Sequence, residues 1–301
     1  MIASWRPDVV FASAFPATSL VIGGALARRA ACPWVAEFRD LWTGNPYGDG
    51  GSWRRKLDRA LERRTLRDVA SVVTISEPLA ERLREIVAAP VVTVANGFDP
   101  DDFTFPTDGD PRPDTLKLFY GGTIYPGRRD PEPLFAALAQ LGPSRTGIEV
   151  EFSGQDLRGV IDLAVKHGVN DSVRLVPFRP YRESLRSLGE SDIALLLLWN
   201  DPAERGVLPV KLFEYIAARR PILALGYEHG EAAKLVRERG AGVVLNDPAS
   251  IASWLREQQI QKQRCGRLPA LPPDAGAGLS RFDQFMKLEA CLQTVVDRGA
   301  R

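Results

Sequence analysis

The sequence predicts an α/β protein with two domains, each built on a parallel sheet. Short apolar runs alternate with amphipathic stretches along most of the chain, which is typical of repeated β-α units. The length of 301 residues suits about two domains. The segment 99–114 holds four prolines and six aspartates without periodicity, and this composition indicates an exposed linker between the domains.

The part of the chain before the linker predicts four strands and three helices. The series opens without a glycine-rich first turn, so we expect a domain over 1–105 that lacks the first part of its fold. The predicted strands cover 8–13, 33–38, 71–75 and 90–94, and the predicted helices cover 17–31, 53–68 and 77–88.

The alternation resumes after the linker and predicts a complete doubly wound domain over 115–280, followed by a terminal helix within 281–301. The predicted strands cover 116–120, 148–152, 173–176, 193–199, 221–225 and 242–245. The predicted helices cover 131–141, 157–167, 181–187, 210–218 and 231–240, with a further helix from 251.

Composition excludes several functional classes. Lys plus Arg total 39 and Asp plus Glu total 38, so the chain lacks the basic excess of a nucleic-acid-binding protein. The three cysteines and two histidines show no metal-ligand spacing, and we expect no metal and a reducing compartment. The apolar runs are shorter than the roughly 20 residues that span a bilayer. The start shows no signal peptide, so we expect a cytoplasmic protein.

The first candidate site follows the strand that ends at residue 120. Ligands of an open α/β sheet bind outside the carboxyl ends of its strands. Gly121 and Gly122 stand there, and they let a phosphate approach the backbone, while Arg128 or Arg129 would pair with it. The alternative is a flexible turn with solvated arginines.

The second candidate site is the start of the helix 210–218. Pro209 fits the first turn, which places Lys211 near the positive end of the helix dipole unless an anion offsets its charge. Glu214 lies three residues further on and would accept hydrogen bonds from vicinal hydroxyls such as those of ribose. The alternative is a surface Lys-Glu pair.

Two further strand ends carry candidate residues. After the strand 173–176, the backbone would read a base edge while Phe178 or Arg179 covers the face of the base, or the segment is a proline-bounded loop. After the strand 33–38, Arg39 and Asp40 form an adjacent pair of opposite charges. Such a pair is catalytic or simply structural.

Several motifs occur in the order of a known family. They are RDLW at 39–42, TISE at 74–77, NGFD at 96–99, YGGTIYPGRRDP at 120–131 and LPVKLFEYIAARRPILAL at 208–225. With them the chain resembles the retaining glycosyltransferases of the GT-B fold, family 4 type, over nearly its whole length. The resemblance implies two facing Rossmann-like domains, with a nucleotide-diphosphate sugar as donor in the C-terminal one, the acceptor in the incomplete N-terminal one, and no metal.

The resemblance also implies roles for single residues. Glu214 would hold the ribose hydroxyls. Lys211 and one of Arg128 or Arg129 would neutralise the diphosphate as the glycosidic bond breaks. Pro209 belongs to the same motif.

Two positions depart from the family pattern. Gly206 replaces a second glutamate of many members, which leaves Glu204 as the candidate for contact with the donor sugar. Arg39 stands where many members have a histidine, so Arg39 and Asp40 would lie near the reacting sugar. The helix within 281–301 is similar to the family's last helix, which returns to the N-terminal domain.

The function predicted from this resemblance is transfer of a sugar from a nucleotide sugar to a glycan or lipid-linked acceptor in cell-surface polysaccharide or glycoconjugate synthesis. The alternatives are a non-catalytic nucleotide-sugar-binding module and a GT-B nucleotide-sugar epimerase. A peripheral contact with the inner face of the membrane would use the basic residues of the helix 53–68. Asp58, Glu62 and Asp68 dilute that positive charge and favour a merely solvated helix.

Overall fold

The computed structural model describes residues 6–47, 52–105 and 109–299. The chain divides into two compact units, the first formed by Met1–Asn96 with Arg281–Arg301 and the second by Gly97–Ser280. The division at Asn96 comes earlier in the chain than the predicted boundary of 105–115. The reason is that Phe98 donates its backbone N–H to the carbonyl of Leu279 at 3.3 Å, within the second unit.

The first unit is a parallel sheet with helices connecting its strands. Strand β2 is buried along its whole length, as expected for a strand covered on both faces. The strands are β1 (Val10–Ala14), β2 (Trp34–Phe38), β3 (Ser71–Thr74) and β4 (Val91–Thr93), which pair in that order. The connecting helices are α1 (Thr18–Ala30), α2 (Ser52–Thr65) and α3 (Glu77–Arg84).

The second unit contains a six-stranded parallel sheet with intervening helices. Its strands are β5 (Leu116–Gly121), β6 (Ile148–Gly154), β7 (Val173–Pro177), β8 (Ile193–Leu197), β9 (Ile222–Leu225) and β10 (Gly242–Val244). Its helices are α4 (Glu132–Leu141), α5 (Arg158–Lys166), α6 (Tyr181–Gly189), α7 (Val210–Ala217), α8 (Glu231–Glu238) and α9 (Pro248–Cys265).

The strand order of the second sheet indicates where the crevice of such a fold lies. The order is β10-β9-β8-β5-β6-β7, so the chain builds outward from β5 in one direction and then restarts at β8 in the other. This confirms the predicted doubly wound arrangement. In such sheets the loops after the two central strands diverge and leave a crevice between them. Here those strands are β5 and β8.

The segment predicted as a structureless linker is partly ordered, which corrects that prediction. A 3-10 helix covers Pro100–Phe103, and the Asp99 carboxylate caps it by accepting the N–H of Asp101 at 3.1 Å. Asp110 is buried and pairs with Arg112 at 2.6 Å. These aspartates have local partners, which composition alone does not show. Residues 106–108 of the predicted linker lie outside the described residues.

A buried ion pair fixes α9 to the second sheet. The Lys262 ammonium lies 2.6 Å from Asp192 Oδ2, and both side chains are at most 1% exposed. The backbone N–H of Lys117 donates to the same carboxylate oxygen at 2.7 Å, and Lys262 also donates to the carbonyl of Thr115. Burial raises the pKa of Asp192 above its ordinary value. This ion pair therefore connects α9 to the residues that directly precede β5 and β8.

The last helix, α10 (Arg281–Gly299), packs against the first unit. Cys291 and Val295 join Val35, Val73 and Val94 in one buried apolar cluster. The helix thus covers a face of the first sheet. Within the described ranges, no helix combines the length and the apolar composition needed to cross a membrane.

Candidate active site

A cavity of about 470 Å³ lies at the carboxyl ends of β5, β6 and β7 in the second unit. The beginnings of α6 and α7 contribute Tyr181, Ser184 and Val210 to its lining. Its volume falls within the roughly 300 to 1,000 Å³ of small-molecule sites. Six of the residues predicted from sequence line it, namely Gly121, Gly122, Phe178, Arg179, Lys211 and Glu214.

Glycines give the cavity a backbone wall. Gly122 has a φ of +139°, and a Cβ at this position would overlap the ammonium of Lys211. A Cβ at Gly154 would in turn overlap the carbonyl oxygen of Gly122. The N–H of Gly122 donates to the carbonyl of Ser153 at 2.8 Å, which joins the two strand ends. A ligand can therefore approach main-chain atoms closely here.

Lys211 brings a desolvated cation to the cavity. Its ammonium lies 4.4 Å from the centroid of the Tyr120 ring and 3.4 Å from the Tyr120 hydroxyl oxygen. Burial, with a smaller effect from the positive charge of Arg129, lowers the pKa of Lys211 to about 8. The start of α7 adds the positive end of a helix dipole. An anion bound here would offset the burial of the ammonium, its repulsion by Arg129 and its position at the positive end of the dipole.

Pro209 lies one residue outside α7, not in its first turn as predicted. Its ψ of 146° is extended, and the helix begins at Val210. The carbonyl of Pro209 accepts the N–H of Leu212 at 3.1 Å, so the proline serves as the N-cap residue. Lys211 remains in the first turn.

Glu214 is positioned by a tyrosine that sequence reasoning missed. The Tyr181 hydroxyl lies 2.9 Å from Glu214 Oε1 and 3.2 Å from Asp102 Oδ2. Glu214 itself is only 9% exposed. Tyr181 begins α6 directly after the Phe178-Arg179 segment, and an aromatic hydroxyl at a helix start beside a strand end was a signal available in the sequence.

Arg129 and Glu204 form an ion pair at 2.9 Å and are not among the residues that line the cavity. The Glu204 carboxylate is 2% exposed and the Arg129 side chain 20%. Arg128 instead places its guanidinium 4.9 Å from the centroid of the Trp199 ring, after β8. Both arginines therefore lie in the loop after β5 and contact residues that follow β8.

Phe178 and Arg179 differ in their freedom to meet a ligand. Phe178 is 67% exposed at the cavity. Arg179 Nη1 donates to Glu151 Oε1 at 2.8 Å and also to the hydroxyl of Ser187. Of the two predicted residues, Phe178 is thus available to cover a base, while the guanidinium of Arg179 already serves the buried Glu151.

Arg39 and Asp40 belong to the first unit. Arg39 Nη2 lies 3.3 Å from Glu37 Oε1, and its other terminal nitrogen donates to the side-chain oxygen of Asn96. Glu37 is buried and accepts the hydroxyl of Ser13 at 2.5 Å. Arg39 is therefore held at the ends of β1, β2 and the segment after β4, with Asp40 exposed beside it.

No group of three His, Cys, Asp or Glu side chains that could hold a metal ion occurs among the described residues.

Residues 1–97 match the family model described as a glycosyl transferase 4-like domain. The first unit contains a glycosyl transferase 4-like domain. The match covers the part of the chain that holds Arg39 and Asp40. No curated protein sequence matches this chain significantly.

Solved structures show the fold of the entire chain. Anabaena HepE in complex with UDP and glucose is 16% identical, with a TM-score of 0.70 over 98% of this chain and 80% of that one. A glycosyltransferase from Rickettsia africae is 15% identical, with a TM-score of 0.69 over 98% and 78% of the two chains. WaaG, involved in lipopolysaccharide biosynthesis, is 17% identical, with a TM-score of 0.62 over 91% and 80%. The predicted GT-B fold with two Rossmann-like domains is confirmed.

Proposed function

We propose that the chain is a retaining glycosyltransferase that moves a sugar from a nucleotide-diphosphate sugar to a glycan or lipid-linked acceptor. The reaction would serve cell-surface polysaccharide or glycoconjugate synthesis, in the cytoplasm at the inner face of the membrane. The observation that carries the proposal is the desolvated Lys211 ammonium facing a glycine wall, with the Glu214 carboxylate in the same cavity. HepE, whose fold the chain shares, was crystallised with UDP-glucose, and WaaG acts in lipopolysaccharide biosynthesis.

In this proposal the cavity binds the nucleotide part of the donor. The diphosphate lies against Gly121 and Gly122 and offsets the charge of Lys211. The Glu214 carboxylate accepts hydrogen bonds from the ribose hydroxyls, in the orientation that Tyr181 gives it. Phe178 covers the face of the base.

The chemical step breaks the bond between the anomeric carbon and the oxygen of the β-phosphate. The electron pair stays on the departing phosphate, where Lys211 neutralises the charge that develops. The acceptor hydroxyl oxygen bonds to the anomeric carbon on the face that the phosphate leaves, and its proton passes to the phosphate oxygen. Retention of configuration follows from this same-face attack. No metal takes part in the proposed step.

Other predicted residues have roles outside the nucleotide cavity. We assign Arg128 and Arg129 to the approach of the diphosphate and Glu204 to the orientation of Arg129, because Glu204 already pairs with that guanidinium. Arg39 and Asp40 are assigned to the acceptor side, since they belong to the first unit.

Calorimetric titration with UDP, GDP and ADP tests the proposal. We expect one of them to bind and Glu214→Ala to weaken that binding about tenfold, because hydrogen bonds from two hydroxyls to a carboxylate are lost. Glu257→Ala, at an exposed position of α9, is the matched control and should bind like the parent chain. Equal affinity of the Glu214→Ala variant would contradict the assignment, and turnover of donor without acceptor would favour an epimerase.

A second prediction concerns the base. Phe178→Ala should weaken nucleotide binding roughly tenfold, because stacking of one base on an aromatic ring contributes about 1–3 kcal/mol. Inorganic pyrophosphate, which has no base, should bind equally well before and after the change. Val165→Ala, another exposed apolar residue of the second unit, provides the control. A parallel loss of pyrophosphate binding would show that Phe178 supports the cavity rather than the base.

A further inference from the structure

Tyr120 is the last residue of β5 before the glycines that wall the nucleotide cavity. Its side chain is buried, and its ring packs against the ring of Phe152 with 5.8 Å between the two centroids. Its hydroxyl donates to the carbonyl oxygen of Thr123 at 2.7 Å, in the loop that follows β5. The core and the loop together therefore fix the orientation of this side chain.

The hydroxyl oxygen of Tyr120 faces the Lys211 ammonium as a hydrogen-bond acceptor. A phenol has one proton to donate, and that proton goes to Thr123. The oxygen lone pairs are left for the ammonium, which lies 3.4 Å from this oxygen and 4.4 Å from the ring centroid. Both the lone pairs and the ring face attract a cation. One aromatic side chain thus holds the charged form of Lys211 in place.

Tyr120 holds this ammonium without cancelling its charge. Burial raises the pKa of the Tyr120 hydroxyl above its ordinary value, so the phenol stays neutral. The charged groups that act on Lys211 are Arg129, which lowers the pKa of the lysine, and Glu214, which raises it. A carboxylate in the place of the phenol would pair with the lysine and weaken its attraction for phosphate. A neutral acceptor leaves that attraction intact.

Gly122 completes the surroundings of the ammonium. A Cβ at this glycine would overlap the Lys211 ammonium and would lie 3.8 Å from the Tyr120 hydroxyl oxygen. The lysine therefore reaches the bare backbone of the glycine wall beside the phenol. Tyr120 itself is not among the residues that line the cavity.

We propose that Tyr120 is the positioning residue of Lys211, which holds the lysine ammonium at the glycine wall with its full charge directed at a phosphate group. The inference rests on the proposed function and deepens it, because it names a residue behind the cavity wall that prepares the phosphate site before the donor binds.

The first test measures the ligand-free chain. NMR titration of the protein with carbon-13 in its lysine side chains gives the pKa of Lys211, whose signal is identified by its loss in Lys211→Met. Tyr120→Phe keeps the ring and its packing but removes the hydroxyl. The pKa of Lys211 should then fall below its parent value of about 8, because the charged form loses an acceptor. The signals of the other lysines should titrate as in the parent.

The second test measures the phosphate site with inorganic pyrophosphate. Near pH 8, Tyr120→Phe should bind pyrophosphate about fivefold more weakly than the parent, because the ammonium has lost a hydrogen bond that orients it. It should also take up more protons on binding, because a larger share of Lys211 is neutral beforehand. In a Lys211→Met background the same change should leave the affinity unchanged, since no cation remains to be positioned.

Ser191→Ala is the matched control. The Ser191 hydroxyl is also buried and also donates to a backbone carbonyl, that of Leu188 at 2.8 Å. Ser191 precedes β8, so it lies at the end of the sheet opposite to the cavity. This variant should lose some thermal stability, as Tyr120→Phe should, but keep the parent's Lys211 pKa and pyrophosphate affinity.

Two results would overturn the inference. One is an unchanged pKa of Lys211 in Tyr120→Phe, and the other is an equal loss of pyrophosphate affinity with and without Lys211. If the pKa falls as expected but the parent binds neither pyrophosphate nor any nucleoside diphosphate, the proposed function fails while Tyr120 remains the residue that positions the lysine. If nucleotide binds and the pKa of Lys211 does not move, the proposed function stands without this role for Tyr120.

Discussion

Replacement of Lys211 by methionine is expected to weaken binding of the preferred nucleoside diphosphate roughly a hundredfold. A charge-assisted hydrogen bond to phosphate contributes up to about 3 kcal/mol, and 1.4 kcal/mol corresponds to a factor of ten. Methionine keeps an unbranched chain of similar length, so the wall formed by Gly122 should persist. Turnover should fall further than binding, since the charge on the leaving phosphate grows in the transition state.

The same substitution should leave the free protein at least as stable at pH 7. Burial lowers the pKa of Lys211 from its ordinary value of 10.5 to about 8. The unfolded chain therefore holds more protons between those two values, and stability rises with pH across this window. Below pH 8 the charged lysine destabilises the fold, and methionine removes that effect. Thermal unfolding of both proteins at several pH values measures it.

The pKa of Lys211 also determines how binding depends on pH. A bound diphosphate favours the ammonium form, so above pH 8 the complex must take up a proton. Titrations in two buffers of different ionisation enthalpy should show this uptake, and Lys211→Met should abolish it. Lys234→Met, at an exposed position of α8, should change neither affinity nor proton uptake. If the Lys211→Met variant bound the nucleoside diphosphate with unaltered affinity, Lys211 would not belong to the binding site.

The second large effect is expected at the buried pair of Lys262 and Asp192. Lys262→Met should lower the free energy of unfolding of the second unit by about 3–5 kcal/mol, because an uncompensated carboxylate stays in the core. Asp192→Asn should also destabilise, since it strands the ammonium. The double variant should recover much of the loss, because both charges are gone and the side chains keep similar volumes.

Urea unfolding of the four proteins, followed by fluorescence, gives the pairwise coupling. Gln261→Met, one residue before Lys262 but exposed on α9, is the matched control. Additive losses in the double variant would show that the two charges act independently, contrary to the 2.6 Å contact.

The sequence was most informative where local pattern and burial agree. Strands such as β6 and β8 were predicted at nearly their observed positions. A short apolar run bounded by polar residues is compatible with few structures other than a buried strand. The glycines at the end of β5 and the start of α7 were found for a similar reason. Both follow from the rule that parallel strands bring their carboxyl ends to one edge.

Contacts between residues far apart in the sequence could not be predicted from local patterns. Arg179 was a candidate for stacking until the structure paired it with Glu151 on β6. Arg129 and Glu204 meet only because β5 and β8 are neighbours in the sheet, and strand order is a property of the tertiary fold. The role of Tyr181 depends on the approach of α6 to α7. Such contacts require the folded arrangement.

The return of α10 to the first unit has a consequence for synthesis of the chain on the ribosome. The second unit is one continuous segment, so all of its residues have been translated before α10 is made. The first unit is different, because Val35 and Val73 gain the cover of Cys291 and Val295 only after the whole second unit has been translated. Until then an apolar sheet face is open to aggregation and to chaperones. Of the two units, the one translated first is the last to be completed.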